Sequence, residues 1–208
     1  MTPNIKPQGN PLNFSSKFLF LLISLFILLF MAGGVSAANV SACGTLNTAG
    51  ETYTLTTDIT EMVISKCMII SGNNIVLDCQ GHTIKDNYPT NESRYAIYAT
   101  GNNVTIKNCV IDKWEHAIYL SGSNGGTIIN NTVVKSGHGI YLKNSYNNNI
   151  TLNSVSSDHD GVHFESSSNN YVTDNDLSGN HGYSLYDDGD SGCNFVDLSN
   201  TGALPESQ

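Results

Sequence analysis

The chain has 208 residues, with nine lysines and arginines against eighteen aspartates and glutamates, a formal net charge of −9. So acidic a surface makes nucleic acid a poor partner. The five cysteines form no C-x-x-C pair and no Cys/His cluster of zinc spacing.

In chain order, residues 1–37 read as an export segment. Lys6 and Lys17 precede an apolar run from Phe18 to Met31, and Ala32-Gly33-Gly34-Val35-Ser36-Ala37 supplies the small residues a signal peptidase requires. Cleavage is expected after Ala37. The alternative is an uncleaved membrane anchor, because the apolar stretch from Phe18 to Val35 approaches the lower limit of about 17 to 25 residues for a spanning helix. Either outcome puts the chain from Ala38 onward outside the cytoplasm, secreted or at the cell surface, with membrane contact only through an uncleaved segment. The mature chain keeps seven basic and eighteen acidic residues, a charge of 7 − 18 = −11. Lys143 is the last basic residue, and ten acidic ones follow it. Such a tract serves as a solvated face, with cation binding as the alternative.

An exported chain can keep disulfides, and five cysteines leave at least one unpaired. Cys43 and Cys67, 24 residues apart, are the expected pair because that separation is near one coil of the repeat described next. Residues 38–70 show strand character at Tyr53-Thr54-Leu55-Thr56 and Met68-Ile69-Ile70 without Asn-rich corners, and read as an N-terminal cap and first coil.

Residues 71–200 are repetitive. Ala96-Ile97-Tyr98-Ala99, Ala117-Ile118-Tyr119-Leu120, Gly139-Ile140-Tyr141-Leu142, Gly161-Val162-His163-Phe164 and Gly182-Tyr183-Ser184-Leu185 recur at intervals of 21, 22, 22 and 21 residues. Between them lie short alternating strands such as Val104-Thr105-Ile106-Lys107, flanked by Asn-rich dipeptides that tolerate left-handed backbone angles at corners. A third strand follows at Val110-Ile111, Val133-Val134, Val155 and Leu177. The expected fold is all-β, a single-stranded right-handed parallel β-helix of about five to six coils of 21–23 residues with three short strands each. An insertion from Asp86 to Ser93 lengthens one loop and carries the glycosylation sequon expected to be used, at Asn91. Residues 201–208 read as a tail with no convincing cap.

Alternation places Ile and Leu of the tetrapeptide inside and Tyr98, Tyr119, Tyr141 and His163 outside in one file. Flat rings spaced about 4.8 Å apart can stack on sugars, so these four are candidate ligand-binding residues. Cross-strand aromatic pairing is the structural alternative. His116, His138, Asp160 and His181 occupy a second phase, offering His116 and His138 as metal ligands with Asp160 as an oxygen donor. Stacked turn residues are the alternative there, and the file lacks the Cys or Met that would select copper. Asp187, Asp188 and Asp190, in Asp187-Asp188-Gly189-Asp190-Ser191-Gly192, offer oxygens suited to calcium but depart from EF-hand spacing.

Together with Leu77-Asp78-Cys79-Gln80-Gly81-His82-Thr83-Ile84, these coils resemble exported parallel β-helix repeat proteins of archaeal and bacterial surfaces, including the periplasmic NosD-like copper-protein group. The likeness covers roughly residues 43 to 200 and implies carbohydrate-active enzymes, adhesins and surface-layer components about equally. Gly137-His138-Gly139-Ile140 further resembles the Gly-His-Gly element of polygalacturonase-type glycosidases, and Asp160-Gly161 the Asp-Gly of their Asn-Thr-Asp element. That second likeness implies His138 and Asp160 as catalytic groups of a polysaccharide hydrolase or lyase. The pattern breaks elsewhere: the coil before His138 offers only Glu115 and His116, and the family's downstream Arg-Ile-Lys has no match. The reading that follows is an exported, non-enzymatic β-helix binding a polysaccharide or another envelope component. Polysaccharide cleavage and copper or calcium handling are its alternatives.

Overall fold

The computed structural model describes residues 37–60, 65–87, 93–156 and 159–202. These form a β-solenoid of about six turns, and among the described residues there is no helix. Its strands run in parallel sheets of eight, seven and four strands. One coil visits the three sheets in turn through His116–Ser121, Thr127–Ile129 and Thr132–Val134; the next repeats this through His138–Lys143, Asn149–Thr151 and Ser154–Ser156. Isolated bridges at Ile59–Ile84, Ser154–Asp176 and Asp176–Thr201 continue the smallest sheet.

Period-two alternation turns one face of each strand inward, and parallel register stacks like on like. Ile97, Ile118, Ile140, Val162 and Leu185 form one inward file. Leu77, Ile106, Ile128, Ile150 and Val172 form a second, and Ile84, Ile111, Val133 and Val155 a third. All are buried, and each such side chain contributes about 1.5–3 kcal/mol on leaving water. Near the insertion, buried Trp114 donates its indole N–H to the Ile84 carbonyl at 3.1 Å, and the buried pair Arg94–Asp86 ties the two ends of that loop together at 3.2 Å.

The Asn-rich corners divide their labour between adjacent residues. Asn130, Asn147 and Asn169 take left-handed angles, with φ of 54°, 58° and 58°. Their successors Asn131, Asn148 and Asn170 are buried and form ladders instead. The Asn153 side-chain oxygen accepts from both the backbone and side-chain N–H of Asn131 at 3.0 Å, while its own amide donates to the Ile128 carbonyl at 2.9 Å. Serines do the same at another corner, where Ser145 Oγ accepts from the Ser123 N–H and Ser167 Oγ from the Ser145 N–H. At these buried corners each coil hands its backbone donor to the next coil, which keeps buried amides paired.

One expectation changes. The fifth tetrapeptide is Ser184-Leu185-Tyr186-Asp187, because Val162 pairs with Leu185 and His163 with Tyr186. Gly182-Tyr183 belongs to the preceding turn, where Gly182 accommodates close backbone from His159. In the fourth copy, a Cβ on Gly161 would stand 2.5 Å from the Ser184 carbonyl oxygen, so neighbouring backbone fills that space.

The Cys43–Cys67 disulfide forms, joining neighbouring coils with Cα atoms 4.5 Å apart. A second, Cys79–Cys109, was not anticipated, because the insertion stretches its separation to 30 residues. Cys193 is free and exposed. The export segment up to Ser36, the sequon at Asn91 and residues 203–208 of the tail lie outside the described residues.

Candidate metal centre

The outer face of the seven-stranded sheet carries two stacked files. Tyr98, Tyr119, Tyr141 and His163 stand in register, with successive ring centroids 5.5, 5.1 and 4.1 Å apart, and Tyr186 extends the file at 4.5 Å. Alongside run Tyr95, His116 and His138, stacked at 4.9 and 5.0 Å. The files meet edge to face, as where His116 and His138 abut Tyr141 at 89° and 88°. Each ring of Tyr119, Tyr141 and His163 is covered on both faces, and the Lys66 ammonium sits 3.4 Å from the centre of Tyr98. Only ring edges remain for a ligand. Burial pushes the Tyr119 and Tyr141 phenols up, and Tyr141 donates to Glu165 at 2.6 Å. Hydrogen bonds from Lys143 and Tyr141 hold the Glu165 carboxyl below its ordinary range.

At the next coil the second file changes chemistry. Asp160 replaces the imidazole, opposite His138, and is only 2% exposed. Its Oδ2 lies 3.0 Å from His163 Nδ1, 3.1 Å from His159 Nδ1 and 3.4 Å from His138 Nδ1. Its Oδ1 accepts the Tyr183 N–H at 3.1 Å. Burial opposes ionisation of this carboxyl, but the bonds from His163, the Tyr183 N–H and His159 outweigh it and hold Asp160 below the usual range. Burial pushes the His138 imidazole down, with Asp160 opposing and His163 and His159 reinforcing the fall. His116 falls further, to about 4, chiefly through burial and then through His138 and His163. The His138 Nδ1 is buried and makes no hydrogen bond, and the same holds for His116 Nδ1. Donor atoms of His138, His159 and Asp160 all lie within 4.8 Å of one another, making the one such three-residue group among the described residues.

The model for the periplasmic copper-binding protein family NosD matches residues 36–200. The chain belongs to the NosD family. Curated proteins and solved structures yielded no match. The family's periplasmic description agrees with the export expected from residues 1–37. A NosD chain implies copper, and the residues here fit it on two counts. Imidazole and carboxylate donors suit copper, and the buried, orphaned Nδ1 of His138 faces Asp160 within ion-pair distance.

The NosD solenoid sorts the other sequence candidates. His181 does not join the second file: Tyr183 rather than His181 reaches Asp160, and His181 is exposed on the turn. His116 lies two coils from Asp160, stacked on His138, outside the three-residue group. Asp187, Asp188 and Asp190 do not gather. Asp188 Oδ1 accepts from the Asp190 and Ser191 N–H groups and Oδ2 from the Ser166 N–H, while Asp187 accepts from Gly189 and Asn194. These bonds are spent on the acidic turn itself. Sequence reasoning missed His159, which immediately precedes Asp160 but belongs to no repeat phase. It also missed Tyr95 and Tyr186, both readable once the tetrapeptide is taken with its preceding residue and its fifth copy is shifted.

Proposed function

We propose that this NosD-family protein is an exported, non-enzymatic copper-handling solenoid, and that His138, His159 and Asp160 hold the ion. The observation that carries the reading is the convergence of three imidazole Nδ1 atoms on one buried carboxylate oxygen, with His138 Nδ1 near it but making no hydrogen bond. Copper, when bound, supplies a centre that draws these otherwise mismatched groups into one coordination sphere. Asp160 contributes the anion. His163 and the Tyr183 N–H orient its two oxygens, the role that outer-shell partners play at metal sites. His138 is held rigid between His116 and the edges of Tyr141 and His163. His159, with 65% of its side chain exposed, leaves one side of the site open to exchange.

Display of the aromatic file to glycan draws less support, because the rings cover one another's faces. Polysaccharide cleavage needs two carboxyl groups set to act on one bond, whereas Asp160 spends both oxygens on histidines and a backbone N–H. Calorimetric titration with Cu(II) chloride tests the proposal. One equivalent is expected for the wild type, with binding weakened at least about tenfold in His159→Gln and in Asp160→Asn. Equal binding by both variants would overturn it.

A further inference from the structure

Resting on the copper reading above, the donor chemistry assigns an oxidation state. We infer that the His138–His159–Asp160 site takes cupric rather than cuprous ion and releases copper when the ion is reduced. The group offers two imidazole nitrogens and one carboxylate oxygen, with no sulfur among its three members. Cys43, Cys67, Cys79 and Cys109 are in disulfides and Met68 is in the core, while Cys193 is a free, exposed thiol before the strand Phe195–Val196 and is not a member of the group. Cuprous ion is soft and favours thiolate and thioether, whereas the cupric ion favours imidazole and oxygen donors and heads the divalent affinity order.

Charge points the same way. Asp160 is anionic and buried, so an ion bearing two positive charges gains more from it than one bearing a single charge. Lys143, the nearest basic residue in sequence, is engaged by Glu165 and does not neutralise Asp160. The release step balances simply. A small-molecule reductant such as ascorbate gives one electron to Cu(II) and is itself oxidised by one electron. The Cu–N and Cu–O coordination bonds then break, and Cu(I) passes to a soft acceptor with no covalent change in the protein.

The test uses the full exported chain carrying Cys193→Ser, which removes the free thiol found among the described residues, in three arms. Cu(II) chloride is titrated with electron paramagnetic resonance detection. Cu(I) is offered anaerobically in competition with a chromogenic cuprous chelator. Ascorbate is finally added to the Cu(II)-loaded protein with that chelator present. The expected results are an axial Cu(II) signal with nitrogen hyperfine structure, cuprous affinity weaker by a factor on the order of 100, and transfer of all copper to the chelator on reduction. His159→Gln, on an exposed side chain that carries no fold, should reduce the nitrogen coupling and the cupric affinity. Cuprous affinity equal to cupric, or copper retained after ascorbate, overturns the inference while leaving copper handling in place. If neither ion binds in a His159-dependent way, the functional reading falls and the inference falls with it.

Discussion

Two stacks of polar side chains run along the solenoid, and they differ in one respect. Inside the corners, Asn131, Asn153, Asn175 and Asn200 form a buried ladder in which each amide oxygen accepts from the coil before and each amide N–H donates to a carbonyl. Outside, on the seven-stranded sheet, His116, His138 and Asp160 occupy successive coils, yet His116 Nδ1 and His138 Nδ1 are buried without a hydrogen bond. Periodicity alone does not separate a structural stack from a functional one. The state of each hydrogen-bonding atom does, since a buried polar atom left unpaired costs about 1–3 kcal/mol and survives where some gain offsets that cost. The ladder is complete in itself; the histidine file is not, and under the proposed copper reading an ion would complete it at His138.

The largest effect should come from breaking the complete stack. Asn153→Ala removes the acceptor for two Asn131 donors and the donor to the Ile128 carbonyl, all buried. A loss on the order of 3 kcal/mol or more is expected in urea unfolding. A change below about 1 kcal/mol would show that water replaces the amide and that the ladder is less closed than its geometry indicates.

The converse experiment adds the ion to the incomplete stack. Cu(II) at a hundred times its dissociation constant should stabilise the fold by about 2.7 kcal/mol, read as a rise in Tm. Asp160→Asn should abolish most of that rise. The same rise in Asp160→Asn as in the wild type would place the stabilising ion elsewhere.

The fold was legible because a 21–22-residue period with one apolar phase admits few architectures. The inward files follow from alternation alone. Other features depend on atoms that a period does not register. The Asn-Asn dipeptide looks uniform in sequence, yet its first residue serves for backbone angle and its second for the ladder. Asp160 was visible as the residue that replaces histidine at a fixed phase, but His159 reaches the same carboxylate from just outside the strand Asp160–Glu165. The shift of the fifth tetrapeptide to Ser184-Leu185-Tyr186-Asp187 hid there as well: Gly182 mimics the small phase, while pairing with Val162 selects Leu185.

A third stack lies between these extremes. At the surface corner, Asp78 Oδ1 accepts from the Asn108 amide at 2.8 Å, and Asn108 accepts from Asn130 at 2.7 Å. Burial opposes ionisation of Asp78, but Asn108, the Gln80 N–H and Lys107 together hold its carboxyl below the ordinary value. A depressed carboxyl contributes stability above its unfolded pKa, and that contribution disappears as pH falls through the lower folded value. Asp78→Asn should therefore cost about 1 kcal/mol at pH 7. The gap from wild type should close below about pH 4. Unfolding curves that stay parallel down to pH 2 would show that the proton on Asp78 does not matter to the ladder.

The smallest effect tests the division of labour at the corners. Leu152 takes φ of 56° and is 56% exposed, at a position where neighbouring coils place Asn130 or Asp174. It lies outside the hydrophobic core, and its left-handed angle comes immediately before Asn153, which enters the ladder. An apolar L-residue in that region costs about 1–2 kcal/mol relative to the right-handed one, and asparagine tolerates it better through local hydrogen bonding. Leu152→Asn should raise stability by about 1 kcal/mol with copper binding unchanged, since the corner lies on a different sheet from the histidines. A loss of stability instead would mean that the exposed leucine covers apolar surface beside Asn130 and Asp174, and that the corner residue packs as well as turns.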